Sequence, residues 1–307
     1  MPDPIILKSK TITGTSDGPH LLITAGVHGD EFEPMAAVRA LIPRLRPEGL
    51  RGRVTLAPVV NEAAFANKAR WAEDGLDMAR TCPGRPDGSI TERTAHAVTE
   101  LILTSDLYID LHTGGTIMMV LPFTGYPMGV SEKTLEANRR MARAFNLPIC
   151  WSNESKGMGR TLSITRDNDI PSIYAEHMGG ARCEEQGVKD YIEGCLNVMG
   201  EFDMIDHPRP ASRVEHFVED EREDSTHMQL QNPSPIEGFF APAVALGQRV
   251  EPGDLIGTVS DCLGEQEEKV YSTQSGIILT LRTFSRVDKD DALAVICEVD
   301  RPYGGGA

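Results

Sequence analysis

His28 and Glu31 stand three residues apart in GVHGDEFEP, residues 26–34. An apolar run, LLITA, precedes them, and a helix-like pattern follows. A tight turn into a helix brings residues i and i+3 to one side, where they can share one ion. Two further groups of the same kind follow short apolar runs. LYIDL leads to His112, and SIYA leads to Glu176. Two imidazoles and one carboxylate suit a catalytic zinc ion, which keeps a fourth position for water. Glu176 has the right type for the general base that such a water needs. Singly, each signal is weak. A His-x-x-Glu pair is ordinarily two surface residues, and a histidine after a strand is ordinarily a hydrogen-bonded structural one. Three such groups on one predicted edge carry more weight, because open α/β sheets bind ligands beyond the carboxyl ends of their strands.

Asp110 lies two residues before His112, so both share a strand face. It can orient an imidazole as an acceptor, or be an ordinary buried carboxylate. His177 should point to the opposite face from Glu176 and be structural. A cationic group accompanies the set. Arg70 and Arg80 fall in the loop-like NKARWAEDGLDMAR, and Arg166 lies ten residues before Glu176. Guanidinium groups grip carboxylates through paired hydrogen bonds, although most charged residues are simply exposed.

The elements that must position these groups alternate in type. PHLLITAGV, GRVTLAPVVN, SDLYIDLHTG, MMVLPF, PICW and PSIYAEHMGG read as strands. EPMAAVRALIPRL, TERTAHAVTELILT, SEKTLEANRRMARAFN and GVKDYIEGCLNVMGEF read as helices, the second capped by Ser89 or Thr91. This alternation predicts an α/β fold with a mixed, largely parallel sheet flanked by helices. The chemistry-bearing unit spans residues 1–205, and 206–235 is expected to be a connection. Residues 236–303 form a small all-β, barrel-like domain of short strands punctuated by Gly, Pro-Gly-Asp and Ser-Gly turns.

The chain has 307 residues and a net charge of −16. That balance argues against a nucleic-acid partner, whose phosphates would be repelled. There is no apolar run of about 18 residues, so no membrane span is expected. No leader is read at the N-terminus. Six scattered cysteines lack any C-x-x-C pair, so a disulfide scaffold and a cysteine-rich zinc site are both disfavoured. A reducing cytoplasm is the simpler setting.

GVHGDE, NEAAFANKARWAEDGLDMARTCPGRPDG, DLHTGG and PSIYAEHMGG, in that order and spacing, resemble the succinylglutamate desuccinylase/aspartoacylase family of zinc carboxypeptidase-like deacylases. The similarity covers most of residues 20–200 and continues into the β domain. It implies one zinc ion per chain on His28, Glu31 and His112, with Glu176 as catalytic glutamate. It implies that Arg70 stands near the reacting carbonyl. Arg80, Arg166 and Asp77 fall on the family's substrate-binding positions. The implied substrate is a small N-acylated amino acid or related amine. Three departures stand out. Ala79 replaces the family asparagine beside Arg80, Cys82 replaces a phenylalanine, and Glu62 follows Asn61 where proline is usual. Ala79 removes half of a carboxylate grip. The alternatives are a metallocarboxypeptidase, which Ala79 counts against, an esterase or deacylase of a non-amino-acid substrate, which Ala79 favours, and a non-catalytic binding module, which the intact His28, Glu31, His112 and Glu176 set argues against. The β domain resembles biotinyl and lipoyl carrier modules, but Lys269 lies outside a carrier motif. Its expected role is to shape the substrate entrance or to form an oligomer contact. Two histidines and one carboxylate also accept several divalent ions besides zinc.

Overall fold

The computed structural model describes residues 4–153, 157–220 and 232–299. In chain order the first part contains β1 (Lys10–Thr13), β2 (Ser16–Ala25), α1 (Phe32–Leu41), β3 (Arg51–Ala57), α2 (Glu62–Asn67) and α3 (Ile90–Ile102). It continues with β4 (Leu107–His112), β5 (Met118–Gly125), α4 (Glu132–Phe145) and β6 (Ile149–Asn153). Then come α5 (Thr161–Asp167), β7 (Ser172–Gly179), α6 (Glu185–Glu201) and β8 (His216–Asp220). These strands pair in the order β1-β3-β2-β4-β7-β5-β6-β8. Pairing is parallel except at β1/β3 and β7/β5. The sheet is thus mixed and largely parallel, as the alternation of elements predicts.

The central strand β2 is buried from His20 to Ala25, which is why it reads as a continuous apolar run rather than an alternating one. Parity then sorts the side chains. Leu21, Ile23, Ala25, Ile109, Leu111, Ile173 and Ala175 pack with α1, α4 and α6. Leu22 and Tyr108 pack with α3 and with Ile164 of α5. Each fully buried leucine or isoleucine contributes about 1.5–3 kcal/mol. Asp110, His112, Tyr174 and Glu176 share the parity of Tyr108 and Leu22, so they face the α3/α5 side. His177 faces the α6 side.

The start of α3 settles the choice of cap. Ser89 Oγ accepts from the Glu92 backbone N–H at 3.4 Å, and Glu92 Oε2 accepts from the Ser89 N–H at 2.8 Å. Thr91 is used differently, donating its N–H and hydroxyl to Asp74 at 3.0 and 2.7 Å. Ser89→Ala is expected to cost about 1 kcal/mol of stability, read as a lower urea midpoint at unchanged slope.

The stretch expected to be a plain connection contributes β8, which adds to the sheet edge in parallel with β6 from His216 to Asp220. Beyond it lie β9 (Gly238–Pro242), β10 (Arg249–Val250), β11 (Leu255–Ser260), β12 (Glu267–Tyr271), β13 (Gly276–Arg282), β14 (Arg286–Val287) and β15 (Ala294–Cys297). The expected barrel does not close among the described residues. β12-β11-β9-β14 form one open sheet, while β13, with β10 and β15, joins the main sheet through β5. A register shift between Val120 and Phe123 divides β5. Its first half pairs with β13 (Val120 with Thr280), and its second half with β6 (Phe123 with Ile149). Phe240, Val250, Ile256, Val259, Ile278 and Leu281 fill the space between the two β layers.

Candidate active site

Glu31 is the N-cap residue of α1, in extended conformation, so its side chain projects beyond the end of β2 rather than along the helix. Its carboxylate lies between two imidazoles. Oε1 is 2.7 Å from His28 Nδ1, and Oε2 is 3.0 Å from His112 Nδ1. Oε2 also accepts from the Thr113 N–H at 3.2 Å. Each histidine turns its other nitrogen to a second carboxylate. His28 Nε2 is 3.1 Å from Asp77 Oδ1, and His112 Nε2 is 3.1 Å from Asp110 Oδ2. An Nε2–H donated to aspartate leaves the Nδ1 lone pair of a neutral ring facing Glu31. Lone pairs and a carboxylate at this separation need positive charge between them, from protons or from a cation. One donor atom each from His28, Glu31 and His112 lies within 4.8 Å of the others. The three side chains therefore fit a divalent ion by donor chemistry and spacing alike.

The electrostatics agree. Burial opposes ionisation of Glu31, yet His28 and His112 hold its carboxyl far below the usual range. Burial opposes charging of His112, and Asp110 and Glu31 outweigh it, holding the imidazole well above its ordinary value. Asp110 is itself fully buried. It accepts from Thr24 Oγ1 at 2.7 Å and from the Thr161 hydroxyl. Burial opposes its ionisation, and His112 outweighs burial with these two bonds adding to it, so its carboxyl is held below the usual range.

Glu176 is brought opposite His112 by the parallel register of β4 and β7. Burial pushes its carboxyl up to about 8, with His112 and Arg70 pulling the other way. Among the described residues its Oε2 has no hydrogen-bond partner. A buried carboxylate oxygen without a donor is costly in a merely structural role.

The basic and acidic residues singled out from the sequence divide. Arg70 is at the site. Its Nε and Nη2 donate to Asp77 Oδ2 at 3.2 and 3.0 Å, and its Nη1 stands 3.9 Å from Glu31 Oε1. Asp77 lies between Arg70 and His28. Oδ1 serves His28 and the Ala79 N–H (2.9 Å), and Oδ2 serves Arg70. Both Asp77 oxygens are engaged inside the protein, with His28 and Arg70 among their partners. Arg80 ends a short 3-10 turn, Met78–Arg80, and its Nη1 donates to the Ala79 carbonyl at 2.6 Å. Burial lowers its pKa, and Arg160 lowers it further. Arg166 reaches Asp167 Oδ1 at 2.8 Å, the Gly157 carbonyl at 3.3 Å and Met158 Sδ at 3.7 Å. Arg160, which sequence reasoning passed over, thus acts on Arg80 electrostatically, as Arg70 also does. Gly159, next to Arg160, meets the Arg80 backbone so closely that a Cβ there would lie 2.4 Å from the Arg80 carbonyl carbon.

A separate cavity of about 370 Å³ is lined by Asn146, Asp190, Glu193, His207, Arg209 and Arg213 among others. Arg213 is paired with Asp190 and Arg209 with Glu201. It holds none of the residues that converge on Glu31, so we do not assign it the chemistry.

Residues 17–200 match the family model for the succinylglutamate desuccinylase/aspartoacylase catalytic domain. The chain belongs to this family. It is 28% identical, over 96% of its own length and 86% of the relative's, to the N-alpha-acetyl-L-2,4-diaminobutyric acid deacetylase of Halomonas elongata. Among solved structures it resembles the succinylglutamate desuccinylase/aspartoacylase of Rhodobacter sphaeroides. The TM-score is 0.85 at 27% identity, covering 94% of this chain and 88% of that one. The product-bound ectoine utilization protein EutE (DoeB) of Ruegeria pomeroyi shares the fold, with a TM-score of 0.84 at 24% identity, covering 94% and 87%. No helix among the described residues is long and apolar enough to cross a membrane.

Proposed function

We propose that this chain is a zinc-dependent amidohydrolase. It removes a small acyl group, acetyl, succinyl or similar, from an N-acylated amino acid or related small amine. The observation that carries the reading is the convergence of His28, Glu31 and His112, with the buried carboxyl of Glu176 in register with His112, at the ends of the adjacent strands β2, β4 and β7. Family membership and the named activity of the Halomonas relative support it. His28, Glu31 and His112 would hold the ion. When bound, zinc supplies Lewis acidity, lowering the pKa of water toward about 7 and polarising a carbonyl.

The chain's own residues do the rest. Glu176 accepts the proton of the attacking water at its carboxylate and returns it to the leaving nitrogen. Arg70, held by Asp77, keeps a guanidinium fixed beside Glu31, where negative charge develops on the carbonyl oxygen. Preorganised donors of this kind are worth about 3–4 kcal/mol. Arg80, with Arg160 close by, offers positive charge for a substrate carboxylate. Arg166 is the further arginine that family resemblance nominates for that role. Ala79 brings no side-chain amide to this grip. That favours, as a second reading, substrates whose carboxylate is displaced or absent, including esters.

The test is a panel of N-acetyl, N-succinyl and N-formyl amino acids, acetylated diamino acids, and matched esters, assayed with zinc-loaded protein. Selective release of one acyl group from an amide supports the first reading. Preference for esters without a carboxylate supports the second. Release of C-terminal residues from peptides instead would replace both with a carboxypeptidase.

A further inference from the structure

We propose that Asp190 and Tyr191, consecutive residues of α6, are positioning residues. They fasten the catalytic strand and the metal-bearing strand to one helix. The inference rests on the deacylase reading for its kinetic arm and on the proposed zinc site for its metal arm.

Tyr191 is fully buried, and its hydroxyl donates to the carbonyl of His112. That carbonyl belongs to the last residue of β4, where the chain leaves the strand for the 113–117 turn. A buried tyrosine hydroxyl requires a partner, and here the partner is the backbone of a proposed metal ligand. The ring is wedged between Phe145, at 6.3 Å, and His177, at 5.8 Å.

Asp190 grips the neighbouring strand. Its Oδ2 is 3.1 Å from His177 Nε2. Its Oδ1 accepts from Arg213 Nη1 at 2.7 Å and from Gln186 Nε2 at 3.2 Å. These donors hold the Asp190 carboxyl well below the usual carboxylate range despite its burial. His177 follows Glu176 on β7, and alternate residues of a strand face opposite ways. Anchoring His177 against α6 therefore sets the rotation of β7, and with it the aim of Glu176 on the other face. Gly187 permits the approach, because a Cβ there would lie 2.9 Å from His177 Nδ1. The third site-bearing segment is tied to the same helix. Glu33, two residues after Glu31, accepts the Glu184 N–H at 3.2 Å, at the N-cap of α6. Strand pairing alone sets the register of His112 and Glu176. The two α6 contacts add a fixed reference behind the sheet.

The two contacts should separate by readout. In the full-length protein, Tyr191→Phe is expected to weaken zinc binding about tenfold, the lower end of what such supporting bonds contribute, measured by competition with a chromogenic chelator. The metal-stripped variant should unfold only about 2–4 °C below the metal-stripped native protein, as loss of one buried hydrogen bond predicts. Asp190→Asn is expected to lower kcat about tenfold or more, as misaimed catalytic groups do, with little change in KM and native zinc affinity. If Asp190→Asn does not fold, His177→Leu against His177→Gln makes the same comparison. The glutamine keeps a donor for Asp190 and should restore most of kcat. Native zinc affinity in Tyr191→Phe would overturn the Tyr191 assignment. Loss of zinc affinity together with a larger loss of apo stability in both variants would reduce the pair to a fold brace and overturn the proposal. If the native protein hydrolyses nothing, the deacylase reading falls, and the zinc comparison still decides Tyr191.

Discussion

Glu176→Gln should retain zinc at the native level and lose nearly all turnover. The amide has almost the shape of the carboxylate but cannot accept a proton from water. General base catalysis of this kind is worth about 10²- to 10⁴-fold, so kcat should fall about a thousandfold or more. Metal should stay because Glu176 is outside the group of donors that converge on Glu31. The fold should stay as well. The amide matches the carboxyl in shape, and Oε2 has no hydrogen-bond donor to lose among the described residues. The measurement is kcat beside elemental analysis on the same preparation. Near-native turnover would remove Glu176 from the role of base. Loss of zinc would instead make it a ligand.

The second large effect is on the metal itself. His112→Ala should take zinc from about one per chain, as a single catalytic site requires, to a trace after dialysis, with hydrolysis lost in parallel. The substitution removes one of only three donors. It also strips Glu31 Oε2 of its imidazole and Asp110 of the group it orients. Asp110 keeps the Thr24 and Thr161 hydroxyls, so the end of β4 should remain folded. Elemental analysis of native and variant protein decides the matter. Zinc and turnover retained in the variant would exclude His112. Absence of metal from the native protein, even after zinc is supplied, would sink the hydrolase reading and favour a binding module.

Much of the site was legible because its residues sit where local patterns end. His28, Glu31, His112 and Glu176 each follow a short apolar run, and in a parallel sheet those ends share one edge. Asp110 was legible as a candidate because a strand repeats every two residues. What was not legible were the partners that local spacing does not specify. Asp77 received its substrate-binding part from family resemblance alone. In the fold it meets His28, forty-nine residues away. Arg160, whose charge acts on Arg80, was not singled out because nothing in its local spacing marks it. β8 carries too little periodicity to be read as a strand, and it exists through pairing with β6.

By itself, the sequence determined the donor types, their order along alternating strands and helices, and the identity of a sheet buried on both faces. Those properties follow from side-chain chemistry and from periods of 2 and 3.6 residues. Only the tertiary structure decided which carboxylate faces which imidazole, that Glu176 stands in register with His112, and that the β domain joins the main sheet through a divided β5. These are contacts between segments far apart in sequence. They are selected by how sheet order and helix packing bury the whole chain at once, which no local spacing encodes.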